Sequence, residues 1–235
     1  MDYNPLIVAL DVPNREMAMR LVENLAGVAG CFKIGSELFT SEGPAITREI
    51  LNCGAKVFLD LKFHDIPATV AKAVASAVNL GVDMLTIHTS GGLQMMIAAE
   101  ISAQTVAAQI SRTPPLVLGV TVLTSMAEDD LLEIGIDVNP EQQVLRLARL
   151  AVKSGLRGLV CSPLELQLLR SELPAEIKIV TPGIRSAEDS KNDQKRTMTA
   201  REAIRAGANY IVVGRPICAA QDPRSAAIKI LDSLD

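Results

Sequence analysis

Eight short apolar runs recur along this chain, at residues 6–10, 31–34, 57–59, 84–87, 116–120, 158–161, 177–180 and 210–213. Stretches of helical periodicity separate them, such as 70–80 and 140–154, and no linker or low-complexity break interrupts the series. Near-continuous apolar strands alternating with helices imply a parallel sheet covered by helices. Eight such units in 235 residues favour an α/β fold of one kind, a closed (β/α)8 TIM barrel, over an open doubly wound sheet. Residues 1–235 read as a single barrel domain. No Gly-x-Gly-x-x-Gly fingerprint follows the first run, which weakens the dinucleotide-binding alternative.

Composition narrows the class. A hydrophobic content of 49% supplies an ample core, and a net charge of -4 with few aromatic residues speaks against a nucleic-acid surface. The apolar run behind the acidic start Met1-Asp2-Tyr3-Asn4-Pro5 is far too short for a signal peptide or a membrane span. Cys31, Cys53, Cys161 and Cys218 lack CxxC spacing, and three of them lie in or beside the apolar runs. Reduced core thiols are expected, with neither disulfides nor a metal site. The expectation is a soluble cytoplasmic protein with no nucleic-acid or membrane partner.

A barrel carries its function at the C-terminal ends of its strands. Here those ends read Asp11, Lys33, Asp60 with Lys62, His88, residues 121–125, Ser162, Pro182-Gly183 and Gly214-Arg215. One polar residue at a strand end is ordinary. A ring of them holding opposite charges suggests a catalytic mouth. Its densest part is Asp60-Leu61-Lys62-Phe63-His64-Asp65-Ile66-Pro67-Ala68-Thr69. Alternate residues of a strand share a face, so Asp60 and Lys62 should project together, with Asp65 in the turn before a helix that has Pro67 in its first turn. Alone, an Asp-x-Lys pair reads as a structural ion pair. The surrounding ring argues for use.

Thr181-Pro182-Gly183-Ile184-Arg185 and Gly214-Arg215-Pro216-Ile217 follow the seventh and eighth runs. Barrels often hold a phosphate between those two loops, where glycine lets backbone approach an anion and arginine offers paired donors. The polar stretch 185–196 between them has no apolar anchor and is expected to act as a lid. Blander readings suit other residues. His64 reads as structural and His88 as orienting a neighbour. Met95-Met96 reads as helix packing, and Glu128-Asp129-Asp130 as a solvated helix start.

Together these segments resemble the orotidine 5'-phosphate decarboxylase family in its bacterial form. Its signature Asp-x-Lys-x-x-Asp-Ile-x-x-Thr stands at Asp60, Lys62, Asp65, Ile66 and Thr69. The segments 120–126, 181–185, Asp193-Gln194 and 214–216 resemble family segments in family order. The resemblance implies decarboxylation of orotidine 5'-phosphate to UMP and carbon dioxide in de novo pyrimidine biosynthesis, with no cofactor and no metal. It assigns Lys62 to stabilising and protonating the C6 carbanion, with Asp60 and Asp65 holding the lysine charged and Lys33 holding Asp60 ionised. Asp11 and Thr69 would take ribose hydroxyls, and Thr124 and Ser125 the pyrimidine amide edge. Gln194 would join the lid to the phosphate, Arg215 would clamp it, and Arg185, Ile66, Pro182 and Gly214 would complete substrate binding. The resemblance also implies a homodimer in which Asp65, Ile66 and Thr69 reach the neighbouring site. Two rivals differ testably. A metal-dependent decarboxylase of 3-keto sugar phosphates would fail on chelation. An inert phosphosugar-binding barrel would lack one of Asp60, Lys62 or Asp65.

Overall fold

The apolar runs fold as strands β1 Leu6–Ala9, β2 Cys31–Ile34, β3 Val57–Phe63, β4 Met84–His88, β5 Leu116–Val120, β6 Gly158–Val160, β7 Lys178–Thr181 and β8 Tyr210–Val213. The computed structural model describes residues 3–185 and 197–234. Each strand pairs in parallel with its sequence neighbours, and β8 closes on β1 through Leu6 opposite Ile211 and Val8 opposite Val213. Parallel neighbours need a crossover, and helices supply it with local stop and start signals. Pro67, Pro140 and Pro223 open the helices Pro67–Leu80, Pro140–Lys153 and Pro223–Asp232, where a missing N–H costs nothing. Asn139 and Asp222 cap two of these by accepting the N–H of Gln142 and Ser225.

The period of two along each strand divides the core into two parts. Ile7, Ala9, Cys31, Phe58, Met84, Leu118, Val180 and Val212 form a cluster of their own inside the barrel. The intervening residues, such as Leu6, Val8, Phe32, Val57, Leu59 and Leu85, join the helices in a larger outer core. An eight-stranded barrel is just wide enough for side chains to fill it, so the inner cluster is a plug. Lys33 and Asp60 occupy the next inward positions after Cys31 and Phe58, one step above that plug. Their placement over apolar packing sets the energetics of everything that follows.

The strand β3 departs from the sequence reading. It continues past Leu59 to Phe63, through the charged residues that end the apolar run. Its register with β4 pairs Leu59 with Leu85 and then Phe63 with Ile87, so β3 advances four residues while β4 advances two. The surplus is a bulge, and within it Lys62 takes φ 51, a left-handed conformation uncommon for a residue with a Cβ. Plain alternation therefore does not describe how Asp60 and Lys62 meet.

Met95 and Met96 are fully buried, as helix packing requires. All four cysteines are free thiols. Cys31 and Cys161 are buried and Cys218 partly so, but Cys53 is exposed beyond the helix Pro44–Asn52 and is no core residue. Among the described residues, no helix is long and apolar enough to cross a membrane.

Candidate active site

Above the plug lies a cavity of about 370 Å³ at the C-terminal ends of the strands. Its floor is Ala9, Phe58, Val160 and Val212, which also belong to or pack on the inner cluster. Its wall brings together Asp11, Lys33, Asp60, Lys62, Thr124, Ser125, Pro182, Gly183, Arg185, Gly214 and Arg215. Most of the residues expected from the sequence thus share one cavity.

Four charges run across it in alternating sign. Lys33 Nζ donates to Asp11 Oδ1 at 2.9 Å and lies 3.7 Å from Asp60 Oδ2. Lys62 Nζ donates to Asp60 Oδ1 at 2.9 Å. The Asp60 side chain is 14% exposed and that of Lys33 10%, so both have left most of their water. Burial pushes the Asp60 carboxyl up, but the ammonium groups of Lys33 and Lys62 and the hydrogen bonds from Lys62 and Thr86 outweigh it and hold the group below its ordinary value. A carboxylate kept ionised beside two ammonium groups is a preorganised field, set before any substrate arrives.

Thr86 was not flagged by the sequence. Its Oγ1 accepts the Lys62 backbone N–H at 2.9 Å and donates to Asp60 Oδ1 at 2.9 Å. A signal existed: Thr86 is the polar member of an apolar run, on the inward face that Met84 begins. Val122 and Leu123, within the strand end read as part of the mouth, also line the cavity, and so does Cys161, which reads from the sequence as a core thiol.

The loops after β7 and β8 lie side by side at the mouth. Gly183 adopts φ 81, which glycine takes without strain. Gly214 is different. A Cβ there would meet Ala9 and Asp11 at ordinary contact distances of 3.5 and 3.6 Å, so packing within the chain does not demand glycine. Arg185 Nη1 donates to Ile184 O at 2.8 Å, and a β-bridge between Ile184 and Met198 closes the base of the loop between β7 and β8. Of the stretch 185–196 expected to act as a lid, residues 186–196, with Gln194 among them, lie outside the described residues.

Some expected residues stand elsewhere. Asp65, Ile66 and Thr69 are exposed and do not line the cavity of their own barrel. Asp65 accepts a hydrogen bond from the Ile66 N–H, and within the chain it forms no ion pair with Lys62 among the described residues. Ser162, read as part of the mouth, is instead fully buried and caps a short helical turn, accepting the Leu164 N–H. Thr121 donates to Val160 O, a strand-end tie. His88 packs against His64, with ring centroids 5.4 Å apart and the planes tilted by 44°, rather than lining the cavity. Burial, with His64 and Lys62 nearby, pushes its imidazole below the ordinary value. Among the described residues, no three His, Cys, Asp or Glu side chains gather as a metal site would need.

Comparison with known proteins agrees over nearly the whole length. A sequence model of the orotidine 5'-phosphate decarboxylase / HUMPS family matches residues 4–230. A protein of Opitutus terrae named orotidine 5'-phosphate decarboxylase is 51% identical over 229 residues, covering 97% of this chain and 97% of that one. A Pseudomonas putida protein of the same name is 49% identical over 227 residues, covering 97% and 95%. The crystal structure of orotidine 5'-phosphate decarboxylase from Lactobacillus acidophilus matches with a TM-score of 0.88 at 36% identity, over 98% of this chain and 99% of that one.

Proposed function

The chain belongs to the orotidine 5'-phosphate decarboxylase / HUMPS family, and from that premise we propose that it converts orotidine 5'-phosphate to UMP and carbon dioxide in the cytoplasm, without a cofactor. The observation that carries the reading is the alternating cluster Asp11–Lys33–Asp60–Lys62 over an apolar floor. Breaking the bond from C6 to the carboxylate leaves an electron pair in the ring plane, out of conjugation with the ring carbonyls. Most decarboxylases give such a pair to a cofactor sink. Here fixed charge takes that part, and it must lower the barrier by an amount near the top of the roughly 8–23 kcal/mol range of enzymes. The Lys62 ammonium faces the developing carbanion and then delivers its proton to C6, after which solvent reprotonates the amine. Asp60 holds that ammonium in place and sits against the departing carboxylate, and Lys33 keeps Asp60 ionised.

The rest of the cavity divides by chemistry. Thr124 and Ser125 face the pyrimidine amide edge, Asp11 the ribose, and Arg215 with Pro182, Arg185 and Gly214 the phosphate. Gln194 belongs to the phosphate side of the same scheme. Glycine at 214 lets the ligand approach the backbone there. Asp65, Ile66 and Thr69 serve the cavity of a second copy in a homodimer. Their support is exposure at the rim, with Ile66 66% exposed, and absence from their own cavity.

The test is the loss of orotidine 5'-phosphate absorbance with excess chelator present. Full turnover is expected. A requirement for added divalent cation would move the chain to the sugar-phosphate branch of the family, and no turnover under any condition would refute the reading.

A further inference from the structure

We propose that Thr86 is a positioning residue for this decarboxylation, its buried hydroxyl tying the backbone of Lys62 to the side chain of Asp60 so that the ammonium is held where it acts. The inference rests on the assignment of Lys62 as proton donor. Where β3 gains its extra residues the ladder to β4 fails, and the Lys62 N–H loses its regular backbone acceptor. The Thr86 hydroxyl replaces it at 2.9 Å. A hydroxyl has one proton, and Thr86 gives it to Asp60 Oδ1, which as an ionised carboxylate only accepts. The direction of both bonds is thereby fixed. The same Oδ1 receives the Lys62 ammonium, so a closed ring runs from Lys62 N through Thr86 and Asp60 back to Lys62 Nζ.

That ring has a conformational cost to offset. Lys62 holds φ 51, and a residue with a side chain stays there only where its surroundings over-determine it. Thr86 is 0% exposed, leaving no room for solvent to substitute for the hydroxyl. Other buried threonines near the strand ends do something simpler. Thr89, Thr121 and Thr181 each donate to a backbone carbonyl, of Val120, Val160 and Cys161 respectively. Of these four, Thr86 is the one whose hydroxyl engages a charged side chain.

Two variants separate hydroxyl from shape. Thr86→Val keeps the volume and removes the hydroxyl, whereas Thr86→Ser keeps the hydroxyl and removes a methyl. Thr86→Val should lower kcat roughly ten- to a hundredfold while KM and UMP affinity stay within about threefold, because a charge-linked hydrogen bond used for orientation is lost. Thr86→Ser should retain most of the activity. The acid limb of the kcat profile should move to higher pH in the valine variant and not in the serine one, since one of the contacts holding the Asp60 carboxyl down is gone. A crystal structure of Thr86→Val reads the same proposal without any turnover: Lys62 should leave the positive-φ region or its ammonium should leave Asp60 Oδ1. The proposal is overturned by a valine variant with kcat within about twofold of the parent, by a folded serine variant as impaired as the valine one, or by an unchanged Lys62 in the valine structure. If Thr86→Val does not fold, Thr86→Ser decides alone, and a folded serine variant with less than about a tenth of parental kcat sinks the idea. A parent chain that fails to decarboxylate orotidine 5'-phosphate would refute the functional reading, and the crystallographic comparison would still decide the positioning role.

Discussion

Replacing Asp60 with Asn removes one charge and almost no volume, so its effect can be worked from the cluster. In the parent, Asp60 meets Lys62 at 2.9 Å and Lys33 at 3.7 Å, with its own side chain 14% exposed. Removing one partner from a buried ion pair costs about 3–5 kcal/mol, because the remaining charge is left in a poor solvent. Three features put this site at the low end. Lys62 is 35% exposed, Lys33 keeps Asp11, and the amide oxygen can still accept one hydrogen bond. A loss of about 3 kcal/mol follows. In a chain of this size each kcal/mol lowers Tm by about 2–4 °C, so a drop of roughly 6–12 °C is expected at pH 7. Calorimetry of parent and Asp60→Asn measures it, and decarboxylation should fall steeply in the same variant. The pH dependence has a definite sign. The Asp60 carboxyl is held below its ordinary value, so its contribution is fully present above about pH 3.9 and is lost as pH falls through the folded value. The gap between the two melting curves should stay level from neutrality down to about pH 4 and close only below it. An unchanged or raised Tm would show that the cluster is hydrated, and the argument for preorganised charge at Lys62 would lose its basis.

Three further outcomes follow from the same geometry. Lys62→Ala should lose more than about a hundredfold in rate while still binding UMP, and a smaller fall would contradict its role as proton donor. Arg215→Ala should reduce kcat/KM strongly for the phosphorylated substrate and much less for a substrate without phosphate; equal losses would show that Arg215 does not read the phosphate. Lys62→Ala and Asp65→Ala should each be nearly inactive, yet refolding them together should recover roughly a quarter of parental turnover, because about half the dimers are mixed and each mixed dimer has one intact site. No recovery, with mixed dimers shown to be present, would return Asp65 to its own barrel.

The barrel is legible in the sequence because both faces of every strand are buried, which writes each strand as a continuous apolar run. Seven of those runs agree with the observed strands to within one residue at either end. The exception, β3, fails for a physical reason: Asp60 and Lys62 end the apolar signal while the strand continues, held by β4 through a bulge. A bulge is set by the partner strand, so local pattern carries no trace of it; it marks Thr86 as a polar inward residue but not as the partner of Lys62 and Asp60. The charged wall is legible from position at the strand ends together with family likeness. Position alone misleads at Ser162 and His88, where a helical cap and a tilted imidazole pair use the side chains otherwise. Asp65 shows a different gap. Motif spacing names it, but spacing along one chain says nothing about which copy's cavity a residue faces.

The inner plug of side chains has a consequence for traffic. Because Ala9, Phe58 and Val212 both fill the barrel and floor the cavity, the chamber is a cul-de-sac rather than a corridor. Among the described residues, the plug leaves substrate, nucleotide product and gas one doorway, at the C-terminal ends of the strands. Arrival and departure then compete for the same opening. A molecule lodged at that doorway would stop the enzyme in both directions without touching a reacting atom.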